Sequence, residues 1–193
     1  NAWQQVAVPH DWAISGPFDK KWDLQMVAIE QNGETEKTEK SGRSGALPWI
    51  GEGMYKMNWT APKGYKRAVL VFDGAMSQPV VSVNGKEAGK WAYGYNAFRI
   101  DITPFIQFGK SNLIEVHLNN VEESSRWYPG GGLYRPVSVE LYGNENFSTW
   151  DTFVRTLKAD KQEAEVEVNA LLEGKTGKSG KTVIALLDEA GKK

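Results

Sequence analysis

No cysteine occurs among the 193 residues, which removes disulfide frameworks, thiol nucleophiles and cysteine metal centres from consideration. That absence assigns no compartment. Histidine is scarce, with two in the whole chain. His117 alternates outward on "IEVHL" without a companion ligand and reads as a surface strand residue. His10, beside Asp11 in "PHDW", reads as a loop brace rather than a ligand, so no metal site is expected. A Ser–His–Asp triad would need one of these histidines and a nucleophile on a sharp elbow, and "GxSxG" does not occur. The formal net charge is −1 with both signs interspersed, so no basic field exists to draw in nucleic acid. No apolar run approaches the roughly 20 residues of a membrane-spanning helix, and "NAWQQV" lacks the basic and apolar regions of a signal peptide. "GKSGK" at 177–181 lacks the first glycine of a phosphate-binding loop and follows a polar linker rather than a strand.

Aromatic residues and glycine are plentiful: Trp 8, Tyr 7, Phe 7 and Gly 20. Chains of this kind with little helical periodicity fold as β-sandwiches or barrels. Most of the aromatics would pack a core and its edges, leaving two or three indoles for a ligand. Residues 3–8, "WQQVAV", are predicted as a short strand ending at Pro9, and "PHDWAISGPFD" as a loop broken by its prolines and glycine. Residues 30–46 are polar and rich in Gly and Ser, which predicts a surface excursion without a core of its own. "GEGMYKMNWTAP" and "KRAVLVFDGA" are predicted strands. "PVVSVNGKEAGKWA" is the clearest hairpin, with Asn84-Gly85 at the turn. "FRIDIT", "NLIEVHL" and "RPVSVEL" complete a run of strands recurring every 10–15 residues, with a turn-like or one-turn helical piece at Thr103–Phe108. Around residue 145 the character changes. "AEVEVNALLEG" and "TVIALLDEAGKK" add two predicted strands, too few to bury a core alone. The expected organisation is all-β: a two-sheet sandwich over 1–144, and the opening of a second β-domain over 145–193.

No carboxylate pair stands out as glycosidic acid and nucleophile, which must flank one bond from rigid supports. Asp11, Asp19, Asp73 and Asp101 all lie where Asp braces a turn. The stretch "SRWYPGGGLYRPVSVEL" is different, because it places an Arg and two aromatics on a Gly-rich loop before a strand. An indole can stack on the apolar face of a pyranose while a guanidinium donates to its hydroxyls. Arg126 and Trp127 could equally brace the loop by a cation–π contact. Both readings stay open from the residues alone.

At "PHDW", "FDG", "VNGK", "GYNAFRIDIT" and "SRWYPGGGLYR" the sequence resembles the N-terminal sugar-binding domain of glycoside hydrolase family 2, in particular its bacterial β-galactosidases. The motifs cover roughly residues 3–142, and "WDTFVRT" resembles the start of that family's immunoglobulin-like domain. The resemblance implies a galactose-binding-like jelly roll, then an immunoglobulin-like sandwich, then a TIM barrel carrying both catalytic glutamates. No residue of this chain inherits those two roles, so the chain alone is expected to be inactive and to need no cofactor. The jelly roll would help wall the sugar pocket. On that basis Arg126, Trp127 and Tyr128, with Asp19 as a lesser candidate, are the expected substrate-binding residues, and Arg135 an internal brace. Some family members carry Asp near the position of Arg126. The implied partners are a terminal β-galactoside and the remaining domains of the polypeptide, in a periplasmic or secreted protein. The family's additional first strand is not found before "PHDW", and an edge left open there would favour dimerisation. A free-standing carbohydrate-binding module and a purely structural interface domain are the alternatives.

Overall fold

The computed structural model describes residues 3–15, 17–19, 25–27, 33, 35–36, 38–40, 49, 51–121, 129–174 and 181–193. It is all-β, with no helix among the described residues. The chain divides into two compact units, Asn1–Gly143 and Asn144–Lys193.

In the first unit, β1 (Gln25–Val27) pairs antiparallel with β2 (Thr38–Lys40). The polar excursion expected over 30–46 therefore contributes a strand, because a backbone ladder needs no apolar side chains. Two larger sheets follow. One holds β3 (Glu52–Thr60), β5 (Val80–Val83), β6 (Lys86–Lys90) and β8 (Ser111–Asn119), in the order β3-β8-β5-β6. The other holds β4 (Arg67–Phe72), β7 (Phe98–Asp101) and β9 (Val137–Tyr142), in the order β7-β4-β9. Every pairing is antiparallel.

The strand sequences dictate which faces meet. On β8, Asn112, Ile114, Val116 and Leu118 are buried while their neighbours are partly exposed, the period-2 pattern of a half-buried strand. Ala68, Leu70 and Phe72 of central β4, with Phe98 and Ile100 of β7, meet Val81 and Val83 of β5 and the inward residues of β8 in one core. The sheets thus form a sandwich. Gly89 on β6 is where they approach closely: a Cβ there would lie 3.1 Å from Ile100.

Turns are fixed by asparagine. Asn84 and Gly85 take φ of 52° and 77°, the left-handed pair of a tight hairpin. Buried Asn112 uses its whole amide. Its Oδ1 accepts from Gln107 N at 2.8 Å and Asn84 Nδ2 at 2.9 Å. Its Nδ2 donates to Lys110 O at 2.8 Å and Gln107 O at 3.1 Å. This one side chain ties the hairpin turn to the Thr103–Phe108 piece, which is turn rather than a helical turn. Asp101 Oδ1 accepts from Thr103 N, and Arg67 pairs with Asp101 at 2.8 Å. Burial works against this carboxylate, yet the Thr103 bonds and Arg67 hold its pKa below the usual value.

Two predicted strands are absent. Residues 3–7 pair with no ladder, and Trp3 is 65% exposed with Lys56 Nζ 5.0 Å from its ring centroid. Residues 181–188 also carry no strand: Val183, Ile184 and Leu186 are exposed, although the closing turn forms through Asp188. An apolar alternation without a partner strand makes no ladder. The second unit consists of hairpin β11 (Phe153–Ala159) with β12 (Ala164–Asn169), and β10 (Glu145–Phe147) paired with β13 (Leu172–Gly174). Phe153, Val154 and Leu157 remain exposed on it.

Phe72→Ala removes a fully buried ring and is expected to cost about 3–5 kcal/mol in urea unfolding. Met57→Ala, at a residue 59% exposed, is expected to change stability by no more than about 0.5 kcal/mol.

Candidate functional site

Several chain segments converge where β4 ends, β7 and β9 begin and β8 runs out. The "PHDW" segment docks here through His10 N, which donates to Leu133 O at 2.8 Å. Met76 and Gly132 exchange both backbone hydrogen bonds, each at 3.0 Å, and Asn119 N donates to Ser77 O. Tyr55, inward on β3, joins them: its hydroxyl lies 2.8 Å from His10 Nδ1, donates to His10 O at 3.3 Å and accepts from Leu133 N at 3.3 Å. His10 is the loop brace its sequence context suggested. His117 faces Glu52 at 3.3 Å on the sheet surface. Among the described residues no cluster could hold a metal ion.

The glycines of "PGGGLYR" exist for this docking. A Cβ on Gly131 would stand 2.6 Å from Trp12 Nε1, and one on Gly132 would stand 2.2 Å from the Tyr55 hydroxyl and 2.8 Å from His10 O. Gly130 and Gly132 also adopt φ of 89° and 87°, which only glycine takes without strain. Trp12 is sandwiched in turn, 6.3 Å from Tyr55 in a stacked pair and 5.8 Å from Trp49. Gly53 completes the slot, since a Cβ there would meet the Trp12 ring at 2.4 Å.

The polar groups at this end are held by hydrogen bonds. Burial, opposed by the Leu133 hydrogen bond and aided by the charge of Asp11, pushes the Tyr55 hydroxyl up to about 12. Asp11 Oδ1 accepts from Ala13 N at 2.9 Å, setting the turn after His10. Asn120 is 1% exposed and its Nδ2 donates to Gly130 O at 3.0 Å, anchoring the loop from β8. Two buried polar atoms border the loop without a protein hydrogen-bond partner: Trp12 Nε1, a donor, and Asn120 Oδ1, an acceptor. Arg135 donates to the carbonyls of Tyr95 at 3.1 Å and Asp73 at 3.3 Å, which makes it a brace.

Of the sequence candidates, Arg126, Trp127 and Tyr128 lie outside the described residues, on the segment between Val121 and Pro129. Asp19 is exposed on the short stretch 17–19 that follows the "PHDW" turn. Tyr55 and Asn120 were not singled out from the sequence. Tyr55 looks like any inward aromatic on a strand, and Asn120 like the end of one. Trp12 was flagged only as part of a motif.

The likeness to known proteins extends over the whole chain. A β-galactosidase of Bacteroides ovatus is 30% identical over 197 residues, covering 100% of this chain and 21% of that protein. A solved glycosyl hydrolase family 2 member from Bacteroides cellulosilyticus superposes with a TM-score of 0.70 at 32% identity, over 88% of this chain and 21% of that one. The chain belongs to glycoside hydrolase family 2. A protein named as a putative β-glucuronidase from Formosa agariphila is 31% identical over 177 residues, 90% of this chain and 15% of that protein. The family 2 segment therefore spans about a fifth or less of the length of these relatives. No family model matches the chain.

Because the folded-state pKa of Tyr55 is raised from 10.0 to about 12, its neutral form contributes stability that is intact below pH 10 and lost as pH rises toward 12. Tyr55→Phe is expected to flatten that alkaline loss, read as the difference in urea midpoint between variant and wild type. An alkaline loss of equal size in both would show that the hydroxyl is not held as described.

Proposed function

We propose that this family 2 chain is the non-catalytic N-terminal portion of a retaining, exo-acting β-galactosidase. Its jelly-roll sandwich walls a sugar pocket whose two catalytic carboxylates lie elsewhere in a longer, exported polypeptide. The observation that carries the reading is the convergence of "PHDW", Tyr55 and the Gly-rich loop at one end of the sandwich. That end holds both flanks of the segment bearing Arg126, Trp127 and Tyr128: Asn120 on one side, Gly130 to Leu133 on the other. An Arg and two aromatics on a loop can offer a pyranose a stacking face and a charged donor. Hydrolysis by double displacement would use two carboxylates about 5 Å apart, and the sandwich would add binding and water exclusion. The exposed apolar residues of the second unit fit the opening of an immunoglobulin-like domain that further chain would complete. Asp19 remains a lesser candidate for the wall.

A β-glucuronide is the second reading, because a relative named as a putative β-glucuronidase aligns over 90% of the chain. In that case the Arg126 guanidinium would suit the sugar carboxylate by a bidentate ion pair.

The longer protein is expected to hydrolyse nitrophenyl β-galactopyranoside faster than the matching glucuronide. Arg126→Ala and Trp127→Ala in it are each expected to lower kcat/KM about tenfold or more. Unchanged kcat/KM in both variants would remove these side chains from the site, and a preference for the glucuronide would favour the second reading.

A further inference from the structure

The exposed indoles of this chain differ in how firmly they are held. Trp3 is 65% exposed and lies on a segment without a ladder, and Trp150 is 78% exposed. Trp91 is 40% exposed yet fixed on three sides. Its ring lies nearly parallel to Phe98, at 8° and 5.7 Å between centroids, and Phe98 stacks on Phe72 at 4° and 4.6 Å. Phe98 and Phe72 are core residues, 3% and 0% exposed. The indole is therefore the outermost layer of a three-ring stack whose inner layers are packed in the core. Its edge is held as well, since Nε1 donates to Asn96 Oδ1 at 2.9 Å. Its backbone is held by Trp91 N, which donates to Pro79 O at 3.0 Å.

The turn that follows is pinned just as firmly. Tyr134 OH donates to Gly94 O at 2.8 Å and Arg135 Nη1 to Tyr95 O. A Cβ on Gly94 would fall 2.4 Å from Met76 Sδ, so the turn sits flush against the end of the sandwich. Tyr93, 58% exposed, packs its ring 5.6 Å from that of Tyr95. With Asn96 exposed beside them, the turn offers one rigid indole face in water, a phenol hydroxyl, and an amide nitrogen whose oxygen is already committed to the indole.

We propose that Trp91, with Tyr93 and Asn96, is a stacking platform for one pyranose unit of a neutral oligosaccharide. The occupant rests on the reading of this chain as part of a carbohydrate-active protein. Its chemistry follows from the platform. A pyranose has an apolar C–H face that matches an indole and equatorial hydroxyls that match the flanking phenol and amide. A ring already locked by the core gives up little rotamer freedom on binding, so even a small contact yields usable affinity. A nucleic-acid base would also stack, but a chain of net charge −1 offers no field to hold its phosphates.

The test is a titration of the nitrogen-15-labelled 193-residue chain with cellotetraose and, separately, β-1,4-galactotetraose, each to roughly 10 mM, the range suited to weak single-site binding. The indole N–H of Trp91 and the side-chain amide of Asn96 are expected to shift saturably with at least one sugar. Trp91→Ala is expected to weaken the Asn96 response at least about fivefold. Trp91→Phe keeps a ring over Phe98 and is expected to retain part of it, while dispersed methyl signals from the core confirm that both variants fold. No saturable shift with either sugar, or shifts unaltered by Trp91→Ala, would overturn the platform. So would shifts of the Trp91 signal that depend on protein concentration alone, which would make a second copy the occupant. Hydrolysis of nitrophenyl β-galactopyranoside by the longer protein separates the two claims. Hydrolysis without binding at Trp91 sinks the platform alone, and binding without hydrolysis supports the platform and sinks the galactosidase reading.

Discussion

The Gly131–Gly132 backbone runs so close to Trp12, His10 and Tyr55 that no side chain fits between them. Everything at this end of the sandwich follows from that contact. With only hydrogens on the two Cα atoms, the loop can lie against the indole and the phenol, pair with Met76, and receive His10 N at Leu133 O. The "PHDW" segment then becomes a cover over β3 rather than a free leader. Any side chain at Gly132 would have to displace the Tyr55 hydroxyl, which is itself bonded to His10 and Leu133. Gly131 and Gly132 face protein: the Trp12 indole, the Tyr55 hydroxyl and the His10 carbonyl.

The architecture beneath is ordinary sandwich physics, and that is why it was legible. "RAVLVF" is buried almost throughout because β4 is central in its sheet, and "NLIEVHL" alternates because β8 has one face on the core. The Asn84-Gly85 turn could be read from two residues because Asn followed by Gly accepts two successive left-handed φ values readily. Local patterns like these carry their information within a few positions. Where a strand depends on a distant partner, the local pattern misleads. "WQQVAV" and "TVIALL" have strand composition but no ladder, whereas the polar "TEK" pairs with Gln25–Val27.

The same distinction explains what could be seen of the candidate site. "PHDW" and "PGGGLYR" both stood out as motifs, but their contact joins positions more than a hundred residues apart, and nothing in either motif names the other. Tyr55 and Asn120 were missed because a strand aromatic and a strand-end amide are common. Their roles appear only when the hydroxyl is found between His10 and Leu133 and the amide under Gly130. Asn112 is similar: its four hydrogen bonds bind two turns together, and no sequence pattern distinguishes it from an exposed asparagine. The family 2 relationship, by contrast, rests on motif order along the chain, which survives at about 30% identity.

The Gly-rich loop is part of the folded core rather than a loose arm, held by the Met76–Gly132 pair and by His10 N on Leu133 O. Amide hydrogen exchange of the intact chain at the His10, Met76 and Gly132 N–H groups tests this directly, because all three sit in the bonds that weld the loop to the sandwich. Protection within about tenfold of that at Val81 and Val116, in the core strands, is the expected result. Exchange at these three amides as fast as at the exposed turn residues Gly64 and Tyr65 would contradict it.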